Sequence, residues 1–294
     1  MTLIAPVVFA DDTFALKGGT AINLFYRNMP RLSVDLDLVF CDHACPRGVA
    51  LNRISQALKD ATSRLSGMGF QTRAVTTSVG ETKLLVRRGL IEVKVEVNIV
   101  MRGTVYPVRV ARMVEAARSA LLADMEIPLL AMEDVYGGKL VAALDRQHPR
   151  DLFDVLQLFA FDGLTSGVIR AFVVYLASSN RPLHEVLSPS LNDLQREYQN
   201  NFQGMTVDEV TIQALMSARQ RLISELPAAV GAAERHFLRT LVRLEPDWDA
   251  LEIPHIRDLP AIQWKLQNLI KLNKTNKRKY QFQVDALDSL LQAA

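Results

Sequence analysis

Cysteine is almost missing from this chain: 294 residues hold two, Cys41 and Cys45. They flank His43 at a spacing of four, but two further ligands at metal-binding spacing are lacking, so a closed zinc site is not expected. A disulfide framework is excluded too, and the pair reads as reduced thiols of a cytosolic protein. Net charge is nearly absent as well, at +2. A charge this small does not by itself imply nucleic acid, and any such contact must rest on local clusters. No run reaches the ~18 apolar residues of a membrane helix. The opening LIAPVVFADD, where Val-Phe-Ala precedes Asp11, lacks the basic segment of an export signal and reads as a strand or turn over 6–16. A cytoplasmic protein without membrane contact is expected. With 49% hydrophobic and 22% charged residues it has the composition of a globular protein and the length for two domains.

The richest stretch is LKGGTAINLFYRNMPRLSVDLDLVF, residues 16–40. Gly18, Gly19 and Thr20 open a helical pattern over 20–28, and Ser33-Val34-Asp35-Leu36-Asp37 begins a strand pattern over 34–40. Side chains alternate faces in a strand, so Asp35 and Asp37 share one face while Val34, Leu36 and Leu38 pack behind. Two adjacent carboxylates repel unless a cation lies between them. A hard ion such as Mg²⁺, or Mn²⁺, held by carboxylates and substrate phosphates, is the usual solution. The glycine turn admits phosphate oxygens close to backbone N–H groups, and Ser33 either contacts a phosphate or orients the turn. Together these features point to nucleotidyl transfer from an NTP.

A third carboxylate is expected from a neighbouring strand. IEVKVEVNIV alternates, with Ile91, Val93, Val95, Val97 and Ile99 on one face and Glu92 and Glu96 on the other; Glu96, at mid-strand, is favoured. An amphipathic helix is read over 49–66 from Leu51, Ile54, Leu58, Ala61 and Leu65. FQTRAVTTSV and ETKLLVRRG read as a strand pair broken at Gly80, and TVYPVRVARMV as an edge strand, since Pro107 argues against a central one. From about 126 the pattern turns helical with no convincing strand. The expectation is an α+β chain: a polymerase-β-like catalytic domain with a mixed sheet over 1–125, then an all-helical domain over 126–294 that completes the NTP site and contacts the acceptor.

Two clusters in the helical part carry charge. In EDVYGGKLVAALDRQHPRDLFDV, residues 133–155, Lys139 and Arg146 share a helix face and Arg150, Asp151 and Asp154 follow. Lys139 suits a triphosphate as a point charge, Arg146 or Arg150 as a fork on phosphate oxygens, and Asp151 as the group orienting them. The alternative is a structural ion-pair cluster. KLNKTNKRKY is a dense basic patch: Lys271, Lys274, Lys277, Arg278 and Lys279, with Trp264, Tyr280 and Phe282 near enough to stack RNA bases.

LKGGTAINLFYRNMPRLSVDLDLVF, VKVEVN, GGKLVAALDRQHPRDLFDV and IPHIRDLPAIQWKLQNL together resemble the AbiEii/AbiGii (MenT-like) nucleotidyltransferase toxins over most of the chain. The resemblance implies the toxin of a bacterial toxin–antitoxin or abortive-infection system, with a cognate antitoxin encoded nearby. It also implies transfer of nucleotides to the 3′ end of tRNA and a block on translation. The family's glycine motif falls on Gly18, Gly19 and Thr20, its Ser-x-Asp-x-Asp on Ser33, Asp35 and Asp37, its helix lysine on Lys139, and its following acid on Asp151 or Asp154. Many relatives carry a helix ahead of the glycine motif that is not read here. On this view Asp37→Ala and Lys139→Ala each silence the toxin in a folded protein. A protein or small-molecule acceptor, a phosphotransferase of kinase type, and a catalytically silent nucleotide-binding module are the competing readings.

Overall fold

The computed structural model describes residues 1–76 and 81–293. Residues 77–79 of the first expected hairpin strand and the break at Gly80 lie outside them. The chain divides into two compact units, Met1–Val135 and Tyr136–Ala294.

The described residues of the first unit form seven strands: β1 (Phe14–Lys17), β2 (Leu36–Phe40), β3 (Gln71–Thr76), β4 (Glu81–Arg88), β5 (Ile91–Asn98), β6 (Arg109–Arg112) and β7 (Glu126–Leu129). They form one sheet in the order β3-β4-β5-β2-β1-β7-β6. The sheet is mixed: β2 runs parallel to β5 and β1 to β7, and the remaining neighbours are antiparallel. β5 alternates as its sequence indicates, burying Val93, Val95 and Val97; Ile91, at the hairpin end, is exposed instead. β6 takes the edge, as Pro107 foretells.

Among the described residues four helices lie wholly within this unit: α1 (Ala5–Val8), α2 (Gly18–Ala21, continued by a π-helical turn over Ile22–Tyr26), α3 (Arg47–Gly67) and α4 (Glu115–Leu121). α1 is a single helical turn ahead of β1, where the sequence pattern showed no helix. α3 buries Ala50, Ile54, Leu58, Ala61 and Leu65, a stripe at three- and four-residue spacing in which Ala50 replaces the expected Leu51. The helical texture expected from 126 begins later. β7 still belongs to the sheet, between β1 and β6, and its four residues include Pro128, which hides a strand from pattern reading.

α5 (Met132–Asp145) spans the division. The second unit continues with α6 (Pro149–Phe161), α7 (Ser166–Ala177), α8 (Leu183–Leu187), α9 (Gln195–Asn201), α10 (Ile212–Ala229), α11 (Ala232–Val242), α12 (Pro260–Thr275) and α13 (Lys277–Ala293). Its described residues contain no strand. Pro227 lies in the last turn of α10. Gly137 explains part of the glycine pair in α5: a Cβ there would sit 2.7 Å from the Ala171 Cβ and from the Phe172 nitrogen, so only glycine lets α5 cross α7. Buried Lys265 of α12 donates to the Ser179 and Arg181 carbonyls at 2.8 and 2.6 Å, satisfying acceptors at the end of α7. No helix among the described residues is long and apolar enough to cross a membrane.

Candidate active site

In the first unit β1–β2 pairing brings the Asp37 carboxylate and the glycine turn together. The antiparallel register sets Lys17 opposite Asp37, and the parallel register sets Glu96 opposite Asp37 on the other side. One row across the sheet thus reads Lys17, Asp37, Glu96. Gly18 has φ +75, and a Cβ on it would stand 2.3 Å from Asp37 Oδ2. The Asp37 carboxylate therefore lies against the Gly18 Cα, and nothing larger than hydrogen fits between them. Asp35 stands just before β2, where the Lys94 amide approaches its Oδ1 at 3.4 Å. Leu36 and Leu38 pack behind as expected, but Val34 is exposed, because regular pairing starts only at Leu36.

The second glycine is just as tightly fitted. A Cβ on Gly19 would be 2.6 Å from Arg31 Nη2 and 3.1 Å from Ser33 Oγ. The Thr20 hydroxyl, 1% exposed, donates to the Asp35 carbonyl at 2.5 Å and lies 3.0 Å from Ser33 Oγ. Asn23 Nδ2 donates to the Gly19 carbonyl at 2.8 Å. Thr20 thus ties the start of the helical run to the Ser33–Asp35 segment, and Asn23 closes the glycine turn onto its own helical run. Arg31 and Lys17 were not singled out from the sequence. The available signal for Arg31 was an isolated cation two residues before Ser33; Lys17 becomes significant only through register.

Glu96 is committed elsewhere: its carboxylate pairs with Lys83 at 3.1 Å. Glu92 is exposed opposite Arg87. Among the described residues no group of three His, Cys, Asp or Glu converges as a metal site. Burial pushes the Cys41 thiol up to about 11, aided by Asp12 and Asp42, so it stays a neutral thiol and not a metal-binding thiolate. What remains around Asp35, Asp37 and Ser33 is an all-oxygen donor set, and it fits a hard divalent ion.

Gly18→Ala tests this packing. We expect at least ~100-fold loss of nucleotidyl transfer, since the methyl must displace the Asp37 carboxylate, and a stability loss of about 1–2 kcal/mol from the positive φ. Labelled-nucleotide assays beside thermal melts separate the two effects; full activity would show that the contact has no functional weight.

In the second unit a charged centre forms between α5 and α6. Lys139 Nζ lies 2.7 Å from Asp151 Oδ1 and 3.0 Å from Asp154 Oδ2. The two aspartates sit one turn apart on α6, so the lysine takes both. Arg146 forks onto Asp151, Nε to Oδ2 at 2.5 Å and Nη2 to Oδ1 at 3.0 Å. Lys139 is 7% exposed, Asp151 1% and Asp154 0%, whereas the Arg146 and Arg150 side chains reach solvent. Burial alone would raise the Asp151 carboxyl; the Lys139 charge and the Arg146 hydrogen bonds overcome it and hold the group well below the usual carboxylate range. His148 caps α6 by accepting from the Arg150 amide at 3.1 Å.

The basic patch surrounds the α12–α13 junction, with Lys271, Lys274, Lys277, Arg278 and Lys279 all exposed. Trp264 and Phe282 are exposed too. Tyr280 is not available for stacking: it is buried and its hydroxyl donates to the Val242 carbonyl at 2.8 Å.

Two comparisons bear on this arrangement. The family model described as nucleotidyl transferase AbiEii toxin, type IV TA system, matches residues 3–268. Among solved structures, MenT4, a nucleotidyltransferase toxin from Mycobacterium tuberculosis, superposes with a TM-score of 0.58 at 18% identity, covering 88% of this chain and 85% of that one. At that identity the likeness concerns the fold. No curated protein matches.

Proposed function

Because the chain belongs to the AbiEii nucleotidyltransferase toxins of type IV toxin–antitoxin systems, we propose that it transfers a nucleoside monophosphate from an NTP to an RNA acceptor, the 3′ end of tRNA, and so halts translation in the cytoplasm until a cognate antitoxin counters it. The observation that carries the reading is the Asp37 carboxylate laid against Gly18, with Thr20 of the same turn holding the Asp35 carbonyl. Asp35 and Asp37 would hold Mg²⁺ or Mn²⁺, with Glu96, which pairs with Lys83 in this structure, as the further carboxylate. The ion's contribution, once bound, is to neutralise charge on the triphosphate. Gly18 and Gly19 let phosphate oxygens reach backbone N–H groups, and Ser33 offers a hydroxyl to them. Thr20 fixes the turn that presents them. In the second unit Lys139, Arg146 and Arg150 are cations suited to phosphate oxygens, and Asp151 and Asp154 set where that charge stands. A hydroxyl oxygen of the acceptor bonds to the α-phosphorus, and pyrophosphate leaves.

The exposed cations of 271–279 favour RNA over a cationic small molecule. Phosphate contacts release counterions, so binding of tRNA should weaken steeply with salt. Replacing Lys277, Arg278 and Lys279 together by alanine should reduce the slope of log K against log[salt] by about 2; an unchanged slope would remove this patch from the interface. In cells, expression of the wild-type chain should arrest growth and folded Asp37→Ala should not. Arrest by both would defeat the proposal.

A further inference from the structure

β2 leaves the carboxylate pair at its first residues and ends at Phe40, and its parallel neighbour β5 ends at Asn98. Ligands of open sheets commonly sit beyond such carboxyl ends. Here the Gly103 amide donates to the Phe40 carbonyl at 2.8 Å and brings Arg102 against the segment that leads into α3. Arg102 is 6% exposed. Its Nη1 reaches only the Cys45 carbonyl, at 3.4 Å, and its buried Nε has no hydrogen-bond partner among the described residues. A buried guanidinium so poorly supplied with acceptors is costly unless an anion completes it.

The element beside it lacks the same thing. α3 is 21 residues long, yet Pro46 at its N-cap contributes no side-chain hydrogen bond and its first turn contains no acidic residue. Helix N-termini leave backbone N–H groups unbonded and carry about half a positive charge. Arg47, Gly48 and Val49 of this turn are exposed. The nearby acid, Asp42, is occupied by the Cys45 amide and by Arg53, each at 3.1 Å. A Cβ on Gly48 would meet nothing within 4 Å, so there is open space over the turn.

We propose that the N-terminus of α3, with Arg47 and Arg102, is a binding site for a phosphate group, separate from the carboxylate pair. The amides of Arg47, Gly48 and Val49 donate to its oxygens, as helix N-termini do for phosphate elsewhere, and Arg102 forks onto it from the side. The group is either free phosphate or a phosphodiester of a nucleic acid.

Amide ¹H–¹⁵N spectra at constant ionic strength test this, titrating first inorganic phosphate and then a single-stranded oligoribonucleotide without terminal phosphates. Saturable downfield shifts of the Arg47, Gly48 and Val49 amides are expected. Saturation by inorganic phosphate identifies a free phosphate ligand, and saturation by the oligonucleotide alone identifies a phosphodiester. Arg102→Met should weaken the response about tenfold or more. Gly48→Asp should abolish it in a folded protein, because its carboxylate enters open space and occupies the helix end itself. That variant keeps the test decisive should Arg102→Met fail to fold. The response should persist in Asp37→Ala, so loss of nucleotidyl transfer and loss of this site are read separately. Amides that move with neither probe, or that move equally in Gly48→Asp, would overturn the proposal.

Discussion

Replacing Asp37 by alanine is expected to cut nucleotidyl transfer by about a thousandfold or more while leaving the melting temperature within a few degrees of wild type. The activity loss follows from position: Asp37 is the central residue of the Lys17–Asp37–Glu96 row and the one whose carboxylate touches the glycine turn. A carboxylate that clamps a divalent ion against a triphosphate is worth several kcal/mol in the transition state, and each 1.36 kcal/mol is about tenfold in rate. The mild effect on stability follows from exposure. Asp37 is half-buried, Leu36 and Leu38 behind it stay in place, and a repulsion with Asp35 is relieved. Initial rates with a labelled NTP, beside a thermal melt of each protein, decide the point. Transfer within tenfold of wild type in the folded variant would take the role from Asp37.

The second large effect is on stability. Lys139→Met should destabilise the protein by about 3–5 kcal/mol at pH 7, because it removes the cation that buried Asp151 and Asp154 share at 2.7 and 3.0 Å. The Lys139→Ala variant expected from the sequence to stay folded is therefore predicted to fold poorly, and a loss of toxicity in it says nothing about chemistry unless folding is measured. The pH dependence supplies a check. The Asp151 carboxyl is held below its unfolded value of 3.8. It therefore contributes stability that is present above about pH 4 and is lost as pH falls through the depressed native value. Asp151→Asn should lose that part of the acid sensitivity along with the ion pairs. Lys139→Met should reverse it: with the cation gone the two carboxyls titrate higher, so acidification from pH 7 toward 5 should restore part of the lost stability. Denaturant unfolding at those two pH values reads the sign directly; equal losses at both would contradict the assignment of Lys139 as the charge that holds the aspartates.

The residues readable from the sequence were those whose relation is local. Asp37 lies in an apolar run soon after the Gly18–Gly19 turn, so a strand there next to the turn could be read from spacing, whereas Asp35 falls just before β2. The β5 alternation put Glu96 on the polar face, but its pairing with Lys83 needed the β4–β5 register, which no spacing reveals. Arg31 and Lys17 remained hidden for the same reason. β7 escaped notice because four residues containing a proline show no period. In the second unit Asp151 and Asp154 could not be told apart as candidates, and the packing shows why: one turn apart on α6, both bind Lys139. The role of the glycine pair beside Lys139 shows only in the packing, where Gly137 is required for α5 to cross α7. Tyr280 looked like a stacking residue because spacing shows proximity and not burial.

The most direct test of the central claim is incubation of the purified protein with total tRNA, Mg²⁺ and each α-³²P-labelled NTP in turn, resolved on a denaturing gel. Label entering a tRNA band, and absent with Asp37→Ala, is the predicted result. Label that enters no RNA with any NTP would contradict it.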